Sequence, residues 1–288
     1  MKRQLEMDAP AKVNLTLSIL GKRPDGYHEL ETVMQQISLR DRIFLQLGGH
    51  GIRLTSNSGQ IPNNEENLAF RAAQLLYEKF SIKEGLQIFI EKNIPVGAGL
   101  AGGSTDAAAV MLAVNELFML RLELDELLEM GLVIGSDVPF CLLGGTALAR
   151  GRGEILTPLP DGPRLEMLLV KPDFQLSTAA VYQSFRMERV MNSPDNSAFL
   201  EAWLKYDMIG LVAQMKNVLE TVSLAMCPEI EFTKNKLNSL GAMNTFMSGS
   251  GPSVVGVFAS HDEAKQAWEN INKQYRETYL VSSYNRGE

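Results

Sequence analysis

The chain has 288 residues, a formal net charge of −7 and a sequence pI near 5.2. That length accommodates two compact cores, and 45% hydrophobic with 21% charged residues describes a folded globular protein. The acidic balance argues against sequence-independent binding of nucleic acid, which needs a basic face to displace counterions, though it leaves room for a small anionic ligand.

Two cysteines, Cys141 and Cys227, make neither a disulfide framework nor a zinc-ligand spacing. No window approaches the roughly 18 apolar residues of a membrane span. The first residues, MKRQLEMDAPAKVN, lack the apolar stretch of a signal peptide, and the expectation is a cytoplasmic protein.

Val13, Leu15, Leu17 and Ile19 alternate with polar residues and predict a strand. Pro24-Asp25-Gly26 predicts a turn, since proline presets φ and glycine permits positive φ. Arg42 to Leu47 alternates again, and Asn67 to Phe80 carries apolar residues at helical spacing. Leu86 to Ile90 predicts a strand, Asp106 to Phe118 a buried, alanine-rich helix and Leu124 to Met130 another helix. Leu165 to Val170 reads as an apolar strand. Further helices are expected near 199–203, 208–219, 230–240 and 263–273, and strands near 253–258 and 277–283. The Gly- and Pro-rich run from Gly151 to Pro163 is the expected seam, dividing the chain into 1–160 and 161–288.

The run PVGAGLAGGSTDAA, Pro95 to Ala108, carries the chemistry. It follows a strand and opens a helix, where unpaired N–H groups and the helix dipole favour an anion. Glycines let the backbone approach closely and present a concave set of N–H donors. Ser104 and Thr105 add hydroxyls that can reach a phosphate or its Mg²⁺. No Gly-Lys-Ser/Thr follows, so this is not a Walker loop, and the dinucleotide fingerprint lacks its distal acid. A second glycine motif, MSGSGPS at Met247 to Ser253, precedes a strand; alone it is an ordinary turn, and beside the first loop it becomes a second wall.

Asp137, in GSDVPF, is followed two residues later by Pro139, which favours an extended or turning backbone and a carboxylate aimed at a cleft; read alone, it is also a helix cap. Lys12, in APAKVNL, is out of place on a half-buried strand unless paired, or else lies on an edge in solvent. Tyr27 and His28 can stack on a base and hydrogen-bond its edge, or simply pack a loop. His50 and His261 have no clustered partners and suggest no metal site.

Together the two glycine motifs resemble those of the GHMP kinases, the group containing galactokinase, homoserine kinase and mevalonate kinase. The stretch APAKVNLTLSILGKRPDGYHELETVM is similar to the branch that phosphorylates a cytidine-diphosphate-linked methylerythritol. The resemblance covers almost the whole chain. It implies an α+β, two-domain GHMP kinase fold, with an N-terminal ribosomal-protein-S5-domain-2-like part and a C-terminal ferredoxin-like part. It also implies ATP and Mg²⁺, whose protein ligands it does not name.

By matching positions, Asp137 is the implied base and Lys12 its partner. Pro95, Val96, Gly97, Ala98, Gly99, Leu100, Ala101, Gly102, Gly103, Ser104 and Thr105 hold ATP, with Asn67 and Lys92 near the adenine. Asn14, Tyr27, His28, Thr178, Tyr182 and Gly249 take the substrate, with His28 at the cytosine edge and Tyr27 and Tyr182 on its two faces. Ala98 and Ala101 stand where relatives often have glycine, so Ala101 is expected at negative φ. Asp106 is expected to turn away from the phosphates. Rival readings are a GHMP kinase for another small alcohol and a catalytically inactive ligand sensor; a purely structural protein leaves both glycine motifs unexplained.

Overall fold

The computed structural model describes residues 3–285. Its contacts group the chain into two compact units that interleave along the sequence. The first comprises the N-terminal run to Ala11, Leu39–Val96 and Ala101–Gly144; the second comprises Lys12–Ser38, Gly97–Leu100 and everything from Gly145. The linear boundary at 160/161 falls inside the second unit. The expected seam there contains a strand, β6 (Ile155–Pro158), paired antiparallel with β5 (Thr146–Gly151).

Two long strands, β1 (Gln4–Lys22) and β2 (His28–Leu47), contribute to both units. In the first, Arg42–Leu47 of β2 pairs antiparallel with β4 (Leu86–Glu91), and β3 (Ile52–Ser56) pairs parallel with β4. A parallel pair needs a crossover, and α1 (Leu68–Phe80) supplies it. Helix α2 (Gly102–Leu117) packs on α1. Ala107, Ala108 and Ala109 are all buried, since small side chains allow that approach. Helices α3 (Leu124–Ile134) and α4 (Val138–Leu143) complete this unit.

In the second unit, Leu30–Gln35 of β2 pairs antiparallel with β5. A separate antiparallel sheet contains β7 (Glu166–Lys171), β8 (Asn244–Met247), β9 (Val254–Phe258) and β10 (Glu277–Ser282), in the order β10-β7-β9-β8. Between β7 and β8 come α5 (Thr178–Ser184), a 3₁₀ turn (Met187–Arg189), α6 (Asn196–Lys205), α7 (Met208–Gln214), α8 (Glu220–Met226) and α9 (Glu229–Ser239). Helix α10 (His261–Ile271) joins β9 to β10. First strand beside third and fourth, with helices α9 and α10 against the sheet, is the expected split βαβ, ferredoxin-like pattern. Its core contains Leu168, Val170, Ile230, Leu237, Val254, Phe258 and Ile271.

The helix expected over 208–219 ends early: α7 stops at Gln214, residues 215–219 are not helical, and α8 starts only at Glu220, with Asn217 between the two. Its side chain donates to the carbonyls of Met247 and Gly249, both at 2.7 Å, and its Oδ1 accepts the Leu219 N–H at 2.9 Å just before α8. Strands β3, β5, β6 and β8, and the short α4 and α5, carry no periodicity long enough to be read from sequence. No helix among the described residues is long and apolar enough to cross a membrane.

Candidate active site

In the second unit the sequence-predicted residues converge on β1. The alternation there predicts one solvated face, yet every residue from Lys12 to Ile19 is buried. The polar face is instead hydrogen-bonded, which is the condition for burying it. Lys12 is 5% exposed and its Nζ donates to Asn14 Oδ1 at 2.7 Å, so it is not an edge lysine in water. Asn14 Nδ2 donates to Thr32 Oγ1 at 2.9 Å, and the Asn14 N–H donates to Ser248 Oγ at 3.3 Å. Ser248 Oγ donates in turn to the Gly99 carbonyl at 3.0 Å, while the Lys12 N–H donates to the Leu100 carbonyl at 3.1 Å. The middle of the first glycine loop, the second glycine motif and the Lys12 strand thus form one hydrogen-bonded assembly.

Gly99 cannot be replaced there. Its φ is +75°, and a Cβ would lie 2.4 Å from the Ser248 carbonyl oxygen. Ala98 is buried at 2% and takes no positive φ. Gly249 has a φ of +56°, and its carbonyl is held by Asn217. Thr178, the first residue of α5, has its hydroxyl 2.8 Å from that of Ser250.

The aromatic residues gather in the same unit. His28 lies 5.6 Å from Tyr182 and 6.0 Å from Phe185, ring centre to ring centre, with the Phe185 ring edge-on. Burial, then the nearby Lys22 ammonium, push the His28 pKa down, so its imidazole is neutral at pH 7. Tyr27 is 57% exposed, and the Arg152 guanidinium lies over its ring at 5.1 Å.

The first unit carries the ends of the loop. Helix α2 begins at Gly102, four residues before the expected start, so Gly103, Ser104 and Thr105 lie in its first turn. Ala101 contradicts its expectation: it caps this helix at φ +57°, in the left-handed region. The helix must turn sharply out of the loop at that point, and the backbone accepts the Cβ strain. Thr105 Oγ1 donates to the Pro10 carbonyl at 2.8 Å. Asp106 is turned inward, 2% exposed, with Oδ2 2.8 Å from Lys92 Nζ. Lys92 Nζ also donates to Asp41 Oδ2.

Asp137 sits at the N-cap position of α4, but its side chain makes no capping hydrogen bond. Asn67 does cap: its Oδ1 accepts from the Ala69 N–H at 2.9 Å, and its Nδ2 donates to the Pro62 carbonyl at 2.8 Å. Sequence reasoning missed Ser248 as the link between the glycine motifs, and it missed Thr32 and Asp41. Asp41 stands in RDR, which reads as a solvated charge run, yet it is fully buried. Nothing local distinguishes it, because its partners lie about fifty residues away.

The family model described as GHMP kinases N terminal domain matches residues 67–145, and the one described as GHMP kinases C terminal matches 200–277. A 4-diphosphocytidyl-2-C-methyl-D-erythritol kinase of Syntrophomonas wolfei subsp. wolfei is 56% identical over 284 residues, covering 99% of this chain and all of that protein. A crystal structure of 4-(cytidine 5'-diphospho)-2C-methyl-D-erythritol kinase superposes with a TM-score of 0.85 at 35% identity, covering 98% of this chain and 100% of the other. A homoserine kinase from Cytophaga hutchinsonii superposes with a TM-score of 0.78 over 99% of this chain and 96% of its own; at 21% identity it speaks for the fold alone.

Proposed function

The chain belongs to the GHMP kinases, ATP-dependent phosphotransferases, and from that premise we propose that it transfers the γ-phosphate of ATP to the 2-hydroxyl of 4-diphosphocytidyl-2-C-methyl-D-erythritol, in the non-mevalonate isoprenoid route. The carrying observation is the assembly in which Ser248 links the Gly99 carbonyl to the strand of Lys12 and Asn14. The identity of relatives bearing that enzyme's name supports the acceptor.

In this reading Pro95 to Thr105 cradles the ATP phosphates with backbone N–H groups, and Asn67 and Lys92 lie toward the adenine. Asp137 takes the proton of the 2-hydroxyl as its oxygen attacks the γ-phosphorus, with ADP leaving. The Lys12 ammonium stabilises the charge that develops. Asn14, Thr178 and Gly249 hold the acceptor. Tyr27 and Tyr182 take the two faces of the cytosine, and the neutral His28 reads its edge, with one ring nitrogen donating and the other accepting.

Among the described residues no group of three His, Cys, Asp or Glu could hold a metal ion. The available donors, chiefly the Ser104 hydroxyl, fit an Mg²⁺ carried by the nucleotide phosphates and water. When bound, that ion neutralises phosphate charge. A cytoplasmic setting belongs to the same reading.

ADP release is the test. We expect turnover with the cytidine-linked acceptor and none with homoserine or mevalonate. Turnover only with the latter pair sinks the acceptor assignment, and ATP binding without ADP formation points to an inactive sensor.

A further inference from the structure

Both ends of the glycine loop return to one buried cluster. At the entry, Asp41 Oδ1 accepts the N–H groups of Asn93 at 2.5 Å and Ile94 at 2.8 Å, the residues just before Pro95. Its other oxygen accepts from Lys92 Nζ. At the exit, the same ammonium donates to Asp106 Oδ2 in the second turn of α2. All three side chains are no more than 5% exposed. Gly102 leaves the ammonium room, since a Cβ there would lie 2.9 Å from Lys92 Nζ. Asp106 Oδ1 is buried and has no hydrogen-bond partner.

We propose that Asp106 is a positioning residue: through Lys92 and Asp41 it ties the exit of the glycine loop to its entry, and so aims the first N–H groups of α2 at the ATP phosphates. This rests on reading that loop as the nucleotide site. A surface ion pair would do little here, but a buried, charge-assisted contact holds its partners in one geometry.

The cluster's charge fits the task. Asp41 receives three donors, whereas Asp106 receives one and leaves an oxygen bare, an arrangement that penalises its ionised form. Burial raises the Asp106 pKa, Lys92 opposes that, and Asp41 adds to the rise. With Asp106 neutral, one carboxylate balances one ammonium, and no net negative charge stands directly behind the first turn of α2, which must receive phosphate.

The test compares wild type with Asp106→Ala and Asp106→Asn, measuring KM for ATP, KM for the acceptor, ATP affinity by calorimetry and stability in urea. Asp106→Ala should raise the KM and dissociation constant for ATP about tenfold, the loss of one charge-assisted hydrogen bond, with the acceptor KM unchanged. Asp106→Asn, neutral and of the same shape, should restore ATP binding nearly to wild type. Should the alanine variant not fold, Asp106→Ser takes its place.

Lower stability with an unchanged KM for ATP would overturn the proposal, as would an equal rise in both KM values. Failure of asparagine to rescue would do the same. If the wild type itself fails to bind ATP, the reading of the loop has failed instead, and the two failures are distinct.

Discussion

Asp137 and Asp106 are both aspartates beside a helix start, and the physics separates them. Asp137 stands at the N-cap position of α4 and is the base in the proposed reaction. Asp137→Asn should cut kcat by roughly 10²–10⁴-fold while ATP and acceptor affinities hold; a wild-type rate removes the residue from that role.

Asp106 makes a prediction about pH. Its folded pKa is raised from 3.8 to about 8, so the folded state binds the proton more tightly than the unfolded one. Such a group stabilises fully below its unfolded pKa, and its contribution is lost as pH rises toward the folded value. The facing groups are the Asp41 carboxylate from β2 and the Lys92 ammonium after β4. Asparagine has no proton to lose, so Asp106→Asn should gain stability relative to wild type as pH rises from 4 to 8. Urea unfolding across that range would show it, and a constant difference would mean that Asp106 stays ionised throughout. Asp137 stood out as a candidate in the sequence because proline and glycine surround it. The Asp106 cluster was not, since its geometry depends on Asp41 and Lys92.

At the scale of elements, the long periodic segments were read correctly in kind. Helix α1, expected over Asn67 to Phe80 from its apolar spacing, runs Leu68–Phe80, with Asn67 standing just outside as its cap. Helix α2 was harder. Its first turn is Gly-Gly-Ser-Thr, a composition that reads as loop, and tertiary contacts of Thr105 and Asp106 hold it helical. The helix starts from a strained alanine at φ +57°.

Left-handed backbone costs a non-glycine residue about 1–2 kcal/mol, of which glycine's greater unfolded-state freedom returns 0.5–1. Ala101→Gly should therefore stabilise the protein by about 0.5–1 kcal/mol, seen as a higher urea midpoint. A lower midpoint would place Ala101 outside that region. Strand β1 inverted a simpler rule: its polar residues alternate as if for solvent, but Asn14 is paired with Lys12 and Thr32, and Thr16 accepts the Val33 N–H, so they are buried with partners.

Across the whole molecule, ligand binding reports on the assembled site. A ligand that binds only the folded state at a hundred times its dissociation constant adds about 2.7 kcal/mol. ATP with Mg²⁺ should raise the urea midpoint by a corresponding amount. Chelation with EDTA should remove most of that gain and abolish ADP release, with both restored by added Mg²⁺. Persistence of turnover in EDTA would exclude a divalent ion from the reaction.

The sequence by itself pointed to a kinase of this family: two glycine motifs in order and a lysine in the first strand are local signals. Glycine, proline and period-two patterning act through the backbone within a few residues. The tertiary structure alone decided how those signals are joined. Ser248 meets Gly99 across 149 residues, and Asp41 meets Ile94 across 53. Hydrogen bonds between residues so far apart leave no pattern in the chain, because any buried carboxylate or hydroxyl needs a partner and folding alone selects which one.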